Sequence, residues 1–144
     1  MMIRHAGLIA LWDAGIWRGV LIEGPSGAGK SDLMLRALQD GWTLVADDRV
    51  VLWTSGGQVY GRAPDSLAGL MEIRGLGVAP TPYRAFAPVD LAARCVVAAE
   101  IERMPAPEAI SLMGQAIPSI ALVATEPSAP AKLARSVSHL GLRA

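Results

Sequence analysis

Short apolar runs divided by glycine, proline and aspartate set the pattern of this chain. Residues 5–11 are apolar and strand-favouring, and Trp12-Asp13-Ala14-Gly15 reads as a turn. Residues 16–23 return as a second strand, so the two form a hairpin. A glycine-rich stretch follows, and the period then changes. Residues 31–40 read as a helix with Leu35, Leu38 and Met34 on its inner face, closed by Gly41 as a left-handed cap. Residues 42–46 are again a strand, ending in Asp47-Asp48-Arg49. Residues 50–53 and 58–61 flank Thr54-Ser55-Gly56-Gly57, a hairpin signature. No crossover helix separates these runs, so the sheet is not a simple strand–helix alternation.

The second half is less regular. Residues 62–66 are expected to be a loop and 67–71 a short helical turn. Glu72-Ile73-Arg74-Gly75-Leu76-Gly77-Val78 is extended, and residues 79–88 form a loop holding Pro80, Pro82 and Pro88. Residues 92–99 read as a core strand, 101–107 as a loop and 117–123 as another strand. A terminal helix is capped by Ser128, has Pro130 in its first turn, and turns Leu133, Val137 and Leu140 inward. His139 on that helix is expected to be exposed and without a chemical role.

Composition narrows the class. A chain of 144 residues with 52% hydrophobic content has the length of one domain, residues 1–144, with a substantial core. A formal net charge of zero gives no support for a nucleic-acid or membrane-surface binder. No apolar run approaches the roughly 20 residues that span a bilayer. Arg4 and His5 interrupt the first apolar stretch, and no leader with a cleavage site is evident. The one cysteine, Cys95, lies in an apolar run and reads as a small core residue, consistent with a reducing cytoplasm.

Three segments carry chemistry. The first is Gly24-Pro25-Ser26-Gly27-Ala28-Gly29-Lys30-Ser31, which fits the phosphate-binding-loop pattern between a strand and a helix. Glycines let the backbone fold into a nest of N–H groups, and the helix N-terminus adds partial positive charge. Lys30 can reach outer phosphates and the Ser31 hydroxyl can ligate Mg²⁺. The second is the pair Asp47-Asp48 at a strand end. One carboxylate suits the Mg²⁺ shell and the other suits accepting a proton from an attacking hydroxyl. The third is Glu72-Ile73-Arg74, whose Glu72 and Arg74 share one face of an extended segment, fit to contact metal and phosphate together. A surface ion pair beside a flexible loop is the simpler alternative for Glu72 and Arg74. A partly exposed strand histidine is the simpler alternative for His5.

In this order and spacing the glycine loop, Leu44-Val45-Ala46-Asp47-Asp48-Arg49-Val50 and Glu72-Ile73-Arg74-Gly75-Leu76-Gly77 resemble the catalytic domain of HPr kinase/phosphorylase. That family phosphorylates a serine of HPr, the phosphocarrier of the sugar phosphotransferase system. The loop is shared by many nucleotide-binding proteins, whereas the Glu-Ile-Arg-Gly-Leu-Gly segment is the family's signature. The resemblance is clear over residues 5–78. It implies an α/β fold of the HPr kinase/PEP carboxykinase-like kind, a P-loop-containing mixed sheet with hairpins and flanking helices. It implies ATP and Mg²⁺ as cofactors, Lys30 on the phosphates, and Ser31 and Glu72 on the metal. Arg74 would help hold phosphate, and one of the Asp pair would be the base. Spacing from Lys30 favours Asp48, which would serve as the acid in the reverse reaction. His5 matches a family histidine ahead of the nucleotide strand, and Arg103 is matched more loosely to a family arginine.

The resemblance thus implies a cytoplasmic kinase acting on HPr, with a reverse phosphorylase activity. The long members carry an additional N-terminal domain and are hexamers, so the expectation is a short form and a homo-oligomer. The basic, glycine-containing segment that long members use for dephosphorylation corresponds here to residues 124–132, which read differently. Two other classes fit the loop alone: a small-molecule kinase, and a nucleotide-binding regulator that transfers no phosphate. The first would need an arginine-rich lid, and no arginine cluster follows residue 74. A GTPase switch is disfavoured by the absence of an Asn-Lys-x-Asp segment.

Overall fold

The computed structural model of the protein describes residues 1–140, the side chain of Leu140 excepted. In chain order the strands are β1 (Met2–Arg4), β2 (Gly7–Asp13) and β3 (Ile16–Glu23). Helix α1 (Lys30–Gln39) precedes β4 (Thr43–Ala46), β5 (Val50–Ser55), β6 (Gln58–Arg62), β7 (Leu70–Ile73) and β8 (Gly77–Pro80). Then come β9 (Ala87–Pro88), β10 (Leu91–Cys95), β11 (Glu108–Leu112), β12 (Gln115–Leu122) and helix α2 (Ala129–Leu140).

A six-stranded sheet in the order β11-β12-β10-β3-β2-β4 forms the middle layer. Strands β3, β10 and β12 are mutually parallel, and β2 runs antiparallel to both β3 and β4. Strands β3, β4, β10 and β12 therefore all end at one edge of the sheet, where ligands of open α/β sheets bind. A second sheet, β1-β5-β6-β9, covers one face, and β7-β8 is a separate hairpin.

The period-2 alternation of the strands decides which layer each residue enters. Ile9, Val20, Ile22, Leu91 and Ala93 face the helices and pack with Leu33, Met34 and Ala37 of α1 and Leu133 and Val137 of α2. Leu8, Ala10, Leu21 and Ala92 face the other way, onto Val50, Leu52, Val59 and Ala87 of the second sheet. The result is a helix–sheet–sheet stack with the middle strands buried on both faces, the reason they read as continuous apolar runs. None of the helices among the described residues is long and apolar enough to cross a membrane.

The mixed α/β fold with hairpins is as expected; several elements are not. The inner face of α1 is Leu33, Met34 and Ala37, with Leu35 and Leu38 only partly buried. Helices α1 and α2 lie side by side on the same face of the sheet, and Leu33, Met34 and Ala37 are the α1 residues turned into that packing. Residues 67–71 are not a helical turn: a 3-10 turn covers Asp65–Leu67, and β7 begins at Leu70. The loop expected at 79–88 contains the end of β8 and all of β9. Pro80 and Pro88 end strands at ladder edges, where a missing N–H is tolerated. Strand β10 stops at Cys95, and Ala98–Glu100 form a 3-10 turn, because Val97 and its successors have left the sheet. Strands β1 and β11 were not foreseen. Terminal helix α2 forms with Leu133 and Val137 inward and His139 exposed, whereas the expectation for the Leu140 side chain falls outside the described residues.

Candidate active site

The site is built at the edge where β3 ends. Its glycine loop passes from Glu23 to α1, with Ala28 N–H donating to Pro25 O at 3.1 Å. Gly29 enters the helix at φ 93°, a left-handed conformation that a side chain resists, and its carbonyl accepts the first helical bond, from Leu33 N–H. The Lys30 ammonium folds back over the loop and donates to Gly24 O at 2.6 Å and Pro25 O at 3.0 Å. A cation, a helix N-terminus and a run of flexible amides thus converge on one spot, which favours an anion.

Asp47 and Asp48, which follow β4, take different partners. Asp47 is 7% exposed; its Oδ1 accepts from the Ser31 hydroxyl at 2.9 Å and its Oδ2 from Glu72 N–H at 3.0 Å. It therefore ties α1 and the β7–β8 hairpin to β4. Asp48 has φ 70°, rare for a residue other than glycine, inside a three-residue turn closed by Arg49 N–H to Asp47 O at 2.8 Å. That turn throws the Asp48 carboxylate outward, where its Oδ1 lies 2.6 Å from His5 Nε2 and its Oδ2 lies 3.8 Å from Arg49 Nε. His5 is held in turn by its neighbours. Arg4 pairs with Glu23 at 2.5 Å, and Ala6 N–H donates to Asp48 O at 3.1 Å.

The β7–β8 hairpin reaches over the loop, pairing Glu72 with Val78 and Ile73 with Gly77. Its tip carries Arg74 and exposes Leu76. A cleft of about 740 Å³ lies between these parts, lined by His5, Lys30, Ser31, Asp48, Glu72 and Arg74. Every predicted site residue outside residue 103 thus belongs to this neighbourhood. Arg103 lies on the exposed segment after β10 and does not line the cleft. A larger groove, about 840 Å³, runs between α2 and residues 100–108. Two of its cations are already engaged, Arg94 with Glu108 and Lys132 with Glu126, each at 2.9 Å, and it has no glycine loop.

Sequence reasoning missed Thr125, which joins the cleft from the end of β12 and comes close to Gly29. No sequence signal marks it: β12 runs parallel to β10 and β3, a pairing that only the structure gives, and the segment after β12 therefore emerges at the same edge as the glycine loop. It also missed that Asp47 is occupied structurally. Cys95 is buried behind the loop, as expected of a core residue; burial pushes its thiol pKa up, and nearby Lys30 opposes that only in part.

Hard oxygen donors suit Mg²⁺, which takes one or two protein ligands beside phosphate and water. The Ser31 hydroxyl and the Glu72 carboxylate fit that demand. Among the described residues no cluster of three or more His, Cys, Asp or Glu could hold a metal without such help.

Fold and site define a mixed α/β protein with a glycine loop at a helix N-terminus and two carboxylates of different exposure beside it. The model of the HPr serine kinase C-terminal domain matches residues 2–82, and the chain belongs to that family. An HPr kinase/phosphorylase of Brevibacillus brevis is 51% identical over 61 residues, 42% of this chain and 20% of the relative. One of Mycoplasma mycoides is 38% identical over 75 residues, 52% of this chain and 23% of the relative. The matched segments thus span about a fifth of these relatives' length. The solved Hpr(Ser) kinase/phosphatase of Coxiella burnetii superposes with a TM-score of 0.84 at 23% identity, covering 99% of this chain and 92% of that one. At that identity the likeness speaks for the fold.

Proposed function

We propose that this protein is an ATP-dependent, Mg²⁺-requiring kinase that transfers a phosphoryl group to a serine of HPr. The observation that carries the proposal is the divergence of the two aspartates around the glycine loop. One is buried and ties Ser31 to the signature hairpin; the other is open to an acceptor and held by His5.

In this reading the loop amides and Lys30 bind the phosphates of ATP. Lys30 exchanges its two backbone carbonyls for phosphate oxygens, so the loop is held near its binding shape beforehand. Ser31 and Glu72 would hold Mg²⁺, which would supply positive charge to neutralise the phosphates. Asp47 fixes the distance between those two ligands by bonding both the Ser31 side chain and the Glu72 backbone. Arg74, at the hairpin tip, adds positive charge at the transferred group. Asp48 accepts the proton of the serine hydroxyl, and His5 fixes the direction of its carboxylate. Most of the rate gain is positioning and charge stabilisation. In the reverse direction the protonated Asp48 would return its proton to the serine oxygen.

The test is incubation of the protein with γ-labelled ATP and Mg²⁺, with and without purified HPr. Label on an HPr serine supports the proposal. Nucleotide binding without label on HPr would reject it in favour of a regulator.

A further inference from the structure

We infer that Arg36 is a positioning residue which holds Thr125 as the nucleoside-side wall of the cleft, and that Thr125 contacts the nucleotide beyond its phosphates. This rests on the reading of the cleft as a nucleotide site. The strand order is β12-β10-β3-β2-β4, and β12, β10, β3 and β4 end at the same edge. The glycine loop after β3 is therefore flanked on one side by Asp47 and Asp48 after β4. On the other side, past the end of β10, comes the segment after β12, which brings Thr125 close to Gly29. In-line transfer puts acceptor and leaving group on opposite sides of the moving phosphoryl group. With the acceptor base on the β4 side, the rest of the nucleotide must run toward β12.

Thr125 is the lining residue that meets it there. A Cβ placed on Gly29 would lie 3.4 Å from Thr125 Cγ2, so this side chain stands beside the loop, about one methyl group away from it. Its hydroxyl is a donor and acceptor suited to a ribose hydroxyl or a base edge.

Arg36 fixes this wall. From the middle of α1 its Nη2 donates to Ala124 O, its Nη1 to Glu126 O at 3.1 Å, and its Nε to Asp32 Oδ2 at 3.0 Å. The two carbonyls bracket Thr125. A planar fork reaches both at once, which a lysine ammonium cannot do with the same geometry. The ion pair also offsets Asp32, a carboxylate lining the same cleft.

The test compares binding of Mg·ATP and of Mg·triphosphate to the full chain and to Arg36→Ala, Arg36→Lys and Thr125→Ala. Triphosphate probes the loop alone. Exposing the Asp32 charge weakens both ligands alike and cancels in their ratio. We expect both Arg36 variants to lose about tenfold, and Thr125→Ala about threefold, in ATP affinity relative to triphosphate, the scale of one hydrogen bond. Retained triphosphate binding shows that the variants are folded. Rescue of the ratio by lysine, or an unchanged ratio in all three variants, overturns the inference. A wild-type chain that binds neither ligand overturns the nucleotide reading as well, a distinguishable result.

Discussion

Replacing Asp48 by asparagine separates chemistry from stability. The two side chains have the same shape, and asparagine tolerates the left-handed backbone found at φ 70°. The ion pair that would be lost, His5–Asp48, has side chains 55% and 58% exposed, so screening leaves it worth about 1 kcal/mol or less. The melting temperature should therefore fall by no more than about 3 °C. Loss of a general base should lower kcat by roughly 10²–10⁴-fold, about 3–5 kcal/mol of barrier. ATP affinity should stay within about threefold, since the carboxylate is engaged with His5 and Arg49 and bonds nothing in the loop.

Asp47→Ala is the contrasting perturbation. It strips a hydrogen-bond partner from the Ser31 hydroxyl and from Glu72 N–H in a nearly buried place, which costs about 1–3 kcal/mol. It also unties the hairpin, so the Mg²⁺ concentration for half-maximal rate should rise. The assays are thermal melts, Mg²⁺ titrations and single-turnover transfer to HPr. Near-normal turnover by Asp48→Asn would refute the assignment of the base. An Asp47→Ala protein with wild-type melting and Mg²⁺ response would refute the division of labour.

Further outcomes follow from single contacts. Lys30→Ala removes a cation from the phosphates, and ATP affinity measured by titration calorimetry should fall roughly 10–100-fold, the scale of a charge-assisted hydrogen bond. Gly19→Ala places a Cβ 1.9 Å from Pro88 O, a clash of β3 with backbone, and urea unfolding should show a loss of about 1–3 kcal/mol. Cys95, buried and with its thiol pKa raised by desolvation, should resist alkylation at neutral pH and react readily once the protein is unfolded in urea. Rapid labelling of the folded protein would place Cys95 elsewhere than behind the loop.

How far the sequence carried the fold depended on where the burial signal was local. Strands β2, β3, β5 and β6 were legible because their runs are long and their turns short. Strand β11 was not, because Glu108-Ala109-Ile110-Ser111-Leu112 buries only Leu112 fully and forms by pairing with β12. Strands β8 and β9 hide in a proline-rich segment whose composition argues for a loop. They exist because β7 and β6 supply the partner edges, a tertiary effect that propensity cannot register. The face of α1 was misjudged for a related reason. Leu35 and Leu38 are as apolar as Leu33, and the packing of α1 against both the sheet and α2 decides which of them is covered.

The site divides along the same line. Residue types and spacing pointed to Lys30, Ser31, the Asp pair, Glu72 and Arg74, because each type is constrained by its chemistry. What the spacing left open was which aspartate does what. Two neighbours on a regular strand would alternate in direction and lie within reach of each other's charge. Here a turn at Asp48, in a backbone conformation that strands do not use, sets their directions instead. Asp47 is turned into the fold, toward Ser31 and the hairpin, and Asp48 toward His5 and solvent. A left-handed aspartate is held there only because its surroundings fix it: Ala6 N–H on its carbonyl, Arg49 N–H on the preceding one, and His5 on its carboxylate. The Arg49 contact is made within the turn itself, whereas the two from Ala6 and His5 come from the segment that follows β1, so the docking of this short edge strand beside β5 helps set the aim of the proposed base.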